Sequence, residues 1–246
     1  MNSNALQEVR VFAPATVANV ACGFDVLGFA INAPGDEVVA RHSDKPGLRI
    51  TKITGDDGKL PKIAEKNTAG VAALDLLRHL GMSDRGIELE IHKKMPFGSG
   101  LGSSAASAVA GVYAINKLIG EPLAKQQLLP FAMQGEASAD GAWHADNVGP
   151  SLLGGIVFIR SNQELDIAQL PVPKDLWAAV VHPDIEILTK VAREILPTNI
   201  PMVNATQQIG NLGGLICGLI QEDYAMIGRS IHDVIAEPRR QKLIPE

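Results

Sequence analysis

The residues Pro96-Phe97-Gly98-Ser99-Gly100-Leu101-Gly102-Ser103-Ser104-Ala105-Ala106 have the types and order that a bound polyphosphate would need. Glycines at alternate positions allow positive φ and let a ligand come close to the backbone. Two serines follow where a helix should begin, and there free N–H groups and the positive end of the helix dipole favour an anion. Ser103 or Ser104 could add a hydroxyl to a phosphate or a metal. The same pattern would also suit a tight strand–helix turn with ordinary serine capping. The Walker form GxxxxGK[ST] does not match, so this would be a phosphate cradle of another design.

Other groups could complete a site. Asn19 and Asp25 could receive the amino and hydroxyl groups of a small substrate, although Asn and Asp also bend chains without a ligand. Glu136 supplies the hard oxygen that magnesium prefers, though a lone helix glutamate is usually a solvated one. His144, Asp146 and Asn147 form a polar cluster ahead of an apolar stretch, suited either to a functional loop or to a cap and turn. On spacing alone Arg193 and Arg240 read as surface arginines, although an arginine can grip a carboxylate with two parallel hydrogen bonds. Lys93 and Lys94 could attract phosphate or simply end a strand in solvent.

These residues need elements to position them. Val9, Val11 and Ala13 alternate with polar neighbours, 48–53 looks alike, and Ile87, Leu89 and Ile91 alternate cleanly with Glu88, Glu90 and His92. Such a period of two marks half-buried strands. Asn67 and Thr68 can cap a helix carrying Ala73, Leu74, Leu77 and Leu80 and stopped by Gly81; a second helix follows Gly102. A third is expected over 123–137, kinked or restarted at Pro130. A strand over 156–159, a linker over 162–174, a buried strand over 176–181 and helices over 186–196, 205–221 and 223–236 complete the expectation.

The 246 residues carry a formal charge of -5 with no basic stripe, which argues against a nucleic-acid partner. With 46% hydrophobic and 20% charged residues, the chain can build a sizeable core. No apolar run approaches the ~20 residues of a membrane span, and the opening residues have no apolar signal core. Cys22 and Cys217 lack metal or CxxC spacing and read as reduced thiols, as in a cytoplasmic protein.

The glycine-rich segment resembles the ATP loop of the GHMP small-molecule kinases, PxxxGLGSSAA. Two further segments are similar to the homoserine kinase branch of that family. Ala13-Pro14-Ala15-Thr16-Val17-Ala18-Asn19-Val20-Ala21-Cys22-Gly23-Phe24-Asp25-Val26-Leu27-Gly28 resembles PASxANxGxGFDxLG, and His144-Ala145-Asp146-Asn147-Val148-Gly149-Pro150-Ser151-Leu152-Leu153-Gly154-Gly155 resembles HADNVxPxLLGG. The resemblance implies an α+β, two-lobed GHMP-kinase-like fold: an N-terminal mixed β-sheet with helices (1–165) that binds ATP, and a ferredoxin-like C-terminal lobe (166–246). It implies phosphorylation of homoserine with ATP and Mg2+, with 96–106 and Asn67 binding ATP and with Ser103 and Glu136 holding the metal. Asn19, Asp25, His144, Asp146, Thr189, Arg193 and Arg240 would hold the substrate, with Asp25, Asp146 and Asn147 nearest the chemistry. Asn147 stands where related kinases carry a catalytic aspartate, so the proton could go to Asp25, to Asp146 or to the γ-phosphate. A glycine-rich third motif of the family has no counterpart before Glu246, so a C-terminally incomplete second lobe of reduced stability and activity is expected. A homodimer is one assembly open to such a kinase. A sister kinase for another small alcohol and a non-catalytic nucleotide-binding fragment stand as alternatives.

Overall fold

The computed structural model describes residues 6–96, 98–141, 143–181 and 189–244. Its centre is a six-stranded mixed sheet. Strand β1 (Glu8–Ala18) pairs antiparallel with β2 (Leu27–His42), whose 16 residues run the length of the sheet. One half of β2 also pairs with β4 (Ile87–His92), while its start, Leu27 to Phe29, pairs with β5 (Ile156–Ser161). Strand β3 (Leu48–Thr54) lies parallel to β4, and β6 (Asp166–Leu170) adds antiparallel to β5.

The period-two readings hold in β1 and β4, while β3 breaks its alternation at a register shift between Ile50 and Lys52. Ile87, Leu89 and Ile91 are fully buried while Glu88, Glu90 and His92 are not. Each large side chain so buried contributes about 1.5–3 kcal/mol of transfer free energy. Four helices cover this sheet: α1 (Thr68–His79), α2 (Ser103–Leu118), α3 (Leu129–Asp140) and α4 (Ala145–Leu153). Helix α2 lies between the sheet and the pair α1 and α3, and it is buried almost all round. Its small residues, Ala105, Ala106 and Ala108, allow that close packing. Asn67 caps α1, its side-chain oxygen accepting from the Ala69 N–H at 3.1 Å. Pro130 opens α3 after a 3-10 turn at Lys125–Leu128, so the proline restarts the helix where its missing N–H costs nothing.

Beyond Leu170 the described elements are all helical: α5 (Thr189–Glu194), α6 (Met202–Gln221), α7 (Tyr224–Ser230) and α8 (Glu237–Arg240). Leu215 and Leu219 of α6 and Ile227 of α7 form a second small core with Cys22, Leu27 and Ile156. That core docks these helices on the segment between β1 and β2. Both cysteines are free, Cys22 buried and Cys217 exposed.

Several expectations are corrected. The linker over 162–174 contains β6, because Ile167 and Ala168 complete the ladder of β5; the sheet therefore runs past the expected boundary at 165/166. The buried strand over 176–181 is irregular and exposed, Trp177 at 90% and Val181 at 88%: an apolar run buries itself only if another layer covers it. The helix over 223–236 ends at Ser230, after which Asp233 caps the backbone of 235–237. Of the helix over 186–196, only Thr189–Glu194 is helical among the described residues, 186–188 lying outside them. The polar cluster at 144–147 is no loop but the first turn of α4.

Candidate active site

Residues from both ends of the chain meet around one cavity of about 580 Å³. One wall is the turn between β4 and α2. Gly98, Gly100 and Gly102 have φ of 64°, 70° and 66°, while Ser99 and Leu101 between them keep negative φ. Alternation of this kind can turn successive N–H groups to one side, as in the nests that bind anions. Gly102 is also required by space: a Cβ there would lie 2.2 Å from Thr16 Oγ1 and 2.8 Å from Asn147 Oδ1. No side chain caps the start of α2, which leaves its first N–H groups open to a ligand, and the buried hydroxyls of Ser99 and Ser104 have no protein partner. Pro96, Gly98 and Ser99 through Ser104 line the cavity, whereas Ala105 and Ala106 are wholly buried behind it. Phe97 lies outside the described residues.

Beneath the turn is a buried charge network that the sequence did not announce. Asp36, with no exposed surface, accepts from Lys93 Nζ, from Ser103 Oγ at 2.9 Å and from the Lys94 N–H at 2.8 Å. Lys93 Nζ also donates to Ser103 O at 2.8 Å and Ser107 Oγ at 2.7 Å. Lys93 is therefore no solvated strand end. Its three N–H groups are spent on tying β4 to the first turn of α2, although burial pulls its pKa below the ordinary value against the pull of Asp36. Lys94 stays exposed and pairs with Glu37 at 2.6 Å.

Glu136 reaches the cavity from α3. Its helix comes close to α1 and α2 because residue 135 is glycine: a Cβ there would sit 2.6 Å from Thr68 O and 2.9 Å from Ala108 Cβ. The Glu136 carboxylate acts electrostatically on Lys93, which places it on the side of the glycine-rich turn. Asn67 also lines the cavity, with its amide spent on capping α1 and on Pro61 O at 3.0 Å.

The opposite wall is built around Asp25. Asn19 and Asp25 both hold positive φ, 70° and 58°, in the segment between β1 and β2. The Asn19 side chain accepts the Asp25 N–H at 3.1 Å. Arg193, on α5, binds the Asp25 carboxylate bidentately at 2.9 and 3.0 Å, and His144 Nδ1 lies 3.4 Å from it. Arg240, on α8, donates to Ala192 O at 3.0 Å, and both guanidinium groups lie over the Phe24 ring, at 5.8 and 5.0 Å. Burial and its neighbour Arg193 lower the pKa of Arg240. Two cations thus share one corner, an arrangement that invites a second carboxylate besides Asp25. Thr189 heads the same helix, but its side chain lies outside the described residues.

Between the walls, α4 presents Asp146 and Asn147. Asn147 Oδ1 accepts from Thr16 Oγ1 at 2.7 Å. Burial pushes the Asp146 carboxyl up to about 6, the charge of Asp25 adds to this, and Arg193 opposes it. A carboxyl raised on folding binds more protons folded than unfolded, so stability falls as pH rises from about 4 to about 6. Asp146→Asn removes that slope. The mutant should gain on the parent by about 3 kcal/mol at most between pH 4.5 and 7. Thermal unfolding of both proteins at the two pH values measures this, and parallel shifts would show that Asp146 titrates normally.

Residues 67–155 match the family described as GHMP kinases N terminal domain. The homoserine kinase of Chlorobaculum tepidum is 50% identical over 98% of this chain and 77% of its own length, and that of Xylella fastidiosa is 41% identical over 96% and 72%. The crystal structure of homoserine kinase from Cytophaga hutchinsonii superposes over the whole chain, and over 78% of its own, with a TM-score of 0.96 and 57% identity. This chain belongs to the homoserine kinases. Mevalonate kinase from L. major, at 15% identity and a TM-score of 0.66, shares the fold with the homoserine kinase family. Membership supports the activity class expected from the sequence, an ATP-using kinase, with homoserine rather than another small alcohol as its acceptor. No described helix is long and apolar enough to cross a membrane.

Proposed function

We infer that this chain transfers the γ-phosphoryl group of ATP to the side-chain hydroxyl of L-homoserine, giving O-phospho-L-homoserine and ADP, a cytoplasmic step of threonine biosynthesis. One observation carries the reading: a nest of backbone amides and a corner of two guanidinium groups face each other across a single cavity. The nest suits a polyphosphate, and the corner suits the carboxylate of an amino acid. Arg193 and Arg240 would hold that carboxylate, with Asn19, Asp25, His144 and Asp146 around the amino group and hydroxyl.

The donor set fits magnesium. Glu136 and Ser103 offer hard oxygens on the phosphate side, and no cluster of three or more His, Cys, Asp or Glu suited to a metal exists among the described residues. A site of that kind takes its remaining ligands from phosphate and water. When bound, magnesium neutralises charge on the phosphate oxygens. The chain's own residues do the rest: the amide nest fixes the polyphosphate, Asp36 orients the Ser103 hydroxyl, and the arginines align the acceptor. One P–O bond forms at the homoserine oxygen as the bond to ADP breaks. The displaced proton goes to Asp146, whose raised pKa suits it to accept one near neutral pH, or to the γ-phosphate itself.

Coupled ADP release with homoserine, mevalonate, galactose and shikimate tests the reading. Turnover should depend on homoserine and be at least about 100-fold slower with galactose, which brings no carboxylate to the arginines, and with mevalonate and shikimate, whose carboxylates come without the α-ammonium that Asp25 would meet. Equal rates with mevalonate or galactose would overturn it.

A further inference from the structure

We propose that Asn162 is a positioning residue for the acceptor half of the site, one amide that holds the Asp25 turn and the start of α4 in register. This rests on reading that half as the homoserine site. Asn162 follows β5 and lies outside every motif segment above.

Its side chain uses both ends. Nδ2 donates to the Asp25 carbonyl at 3.1 Å, and Oδ1 accepts the Ala145 N–H at 2.7 Å. Its backbone carbonyl takes the Trp143 indole N–H at 2.8 Å, which fixes the strand end against the chain entering α4. Both side-chain bonds supply what the local structure lacks. Asp25 stands at φ 58°, a left-handed conformation that costs a non-glycine residue on the order of 1–3 kcal/mol and persists only where its surroundings enforce it. The enforcement comes from two asparagines, Asn19 on its N–H and Asn162 on its carbonyl. Helix α4, for its part, begins at His144 with no side-chain cap of its own. Asn162, 17 residues away in sequence, accepts the first N–H in its place.

The consequence is geometric. Asp25 and Asp146 come from opposite ends of the N-terminal part of the chain, yet the charge of one acts on the other and both line the cavity. A single half-buried amide spans the backbones that carry them. Neither bond reaches the phosphate nest, so the effect should be confined to the acceptor.

The test uses steady-state kinetics on Asn162→Ala and Asn162→Asp, with Gln169→Ala as a control. Gln169 bonds the Leu153 and Gly154 carbonyls at the far end of α4 and touches no site residue. Asn162→Ala loses both bonds; Asn162→Asp keeps the acceptor for Ala145 and loses the donor to Asp25. The expected result is a rise in the homoserine KM on the order of 10–100-fold for both, as displacement of a reacting group by about 1 Å costs. The ATP KM should stay within about twofold, and Gln169→Ala should match the parent. A homoserine KM within twofold of the parent in either variant would overturn the proposal. So would a parallel rise in both KM values, or failure of both variants to fold, since each marks a merely structural role. Failure of the functional reading is distinguishable, because the parent itself would then show no homoserine-dependent turnover.

Discussion

Replacing Glu136 by glutamine should lower kcat on the order of 1,000-fold while leaving the fold intact. The side chain lines the cavity and acts on Lys93, on a helix packed closely against its neighbours at Gly135. Glutamine keeps its volume, so α3 has no reason to move. What is lost is a negative oxygen facing the place where magnesium and the transferring phosphate would sit. Removing one electrostatic partner of a transition state commonly costs about 100–1,000-fold, and a metal ligand belongs at the upper end. Two further readings separate this from general damage. The magnesium concentration for half-maximal rate should rise, and the unfolding temperature should hold within a few degrees. A near-normal kcat would remove Glu136 from the mechanism.

Much of the frame was legible because burial imposes a period. The alternation of Ile87, Leu89 and Ile91, the Asn67 cap and the glycine-to-serine step at 102–103 each carry their own local cause, and each stands where expected. The long strand β2 was not read, because Pro34 and Gly35 interrupt its pattern and its partners change along its length from β5 to β4. Helix α4 was misread because Gly149 and Pro150 look like breakers, yet both lie buried within it. The run at 176–181 was overread, since hydrophobicity predicts burial only where a second layer exists. Asp36 and Asn162 had no local signature at all. Their roles come from partners far away in sequence, Ser103 and Lys93 for one, Asp25 and Ala145 for the other. Arg193 and Arg240 stood out only through resemblance, because an arginine that binds a ligand and one that meets solvent look the same in a sequence.

Arg193→Leu should raise the homoserine KM by about 100-fold, with the ATP KM nearly unchanged, because truncating one member of a hydrogen-bonded charge pair costs about 2–5 kcal/mol. The fork of Arg193 is closed on the Asp25 carboxylate. An incoming amino acid therefore finds the pair already assembled, a cation for its carboxylate and an anion for its ammonium, with Arg240 adjacent across the Phe24 ring. Leucine fills part of the volume yet leaves Asp25 and Asp146 facing each other without the cation that now holds Asp146 down. The Asp146 carboxyl should then rise further. The acidic limb of the homoserine kcat/KM profile should shift to higher pH in the variant, which a simple loss of packing would not produce. Arg193→Lys should restore little, since an ammonium carries the charge without the planar fork that meets a carboxylate twice. If lysine restored the parent KM and the pH profile together, charge alone would suffice and the bidentate grip on Asp25 would be incidental to substrate binding.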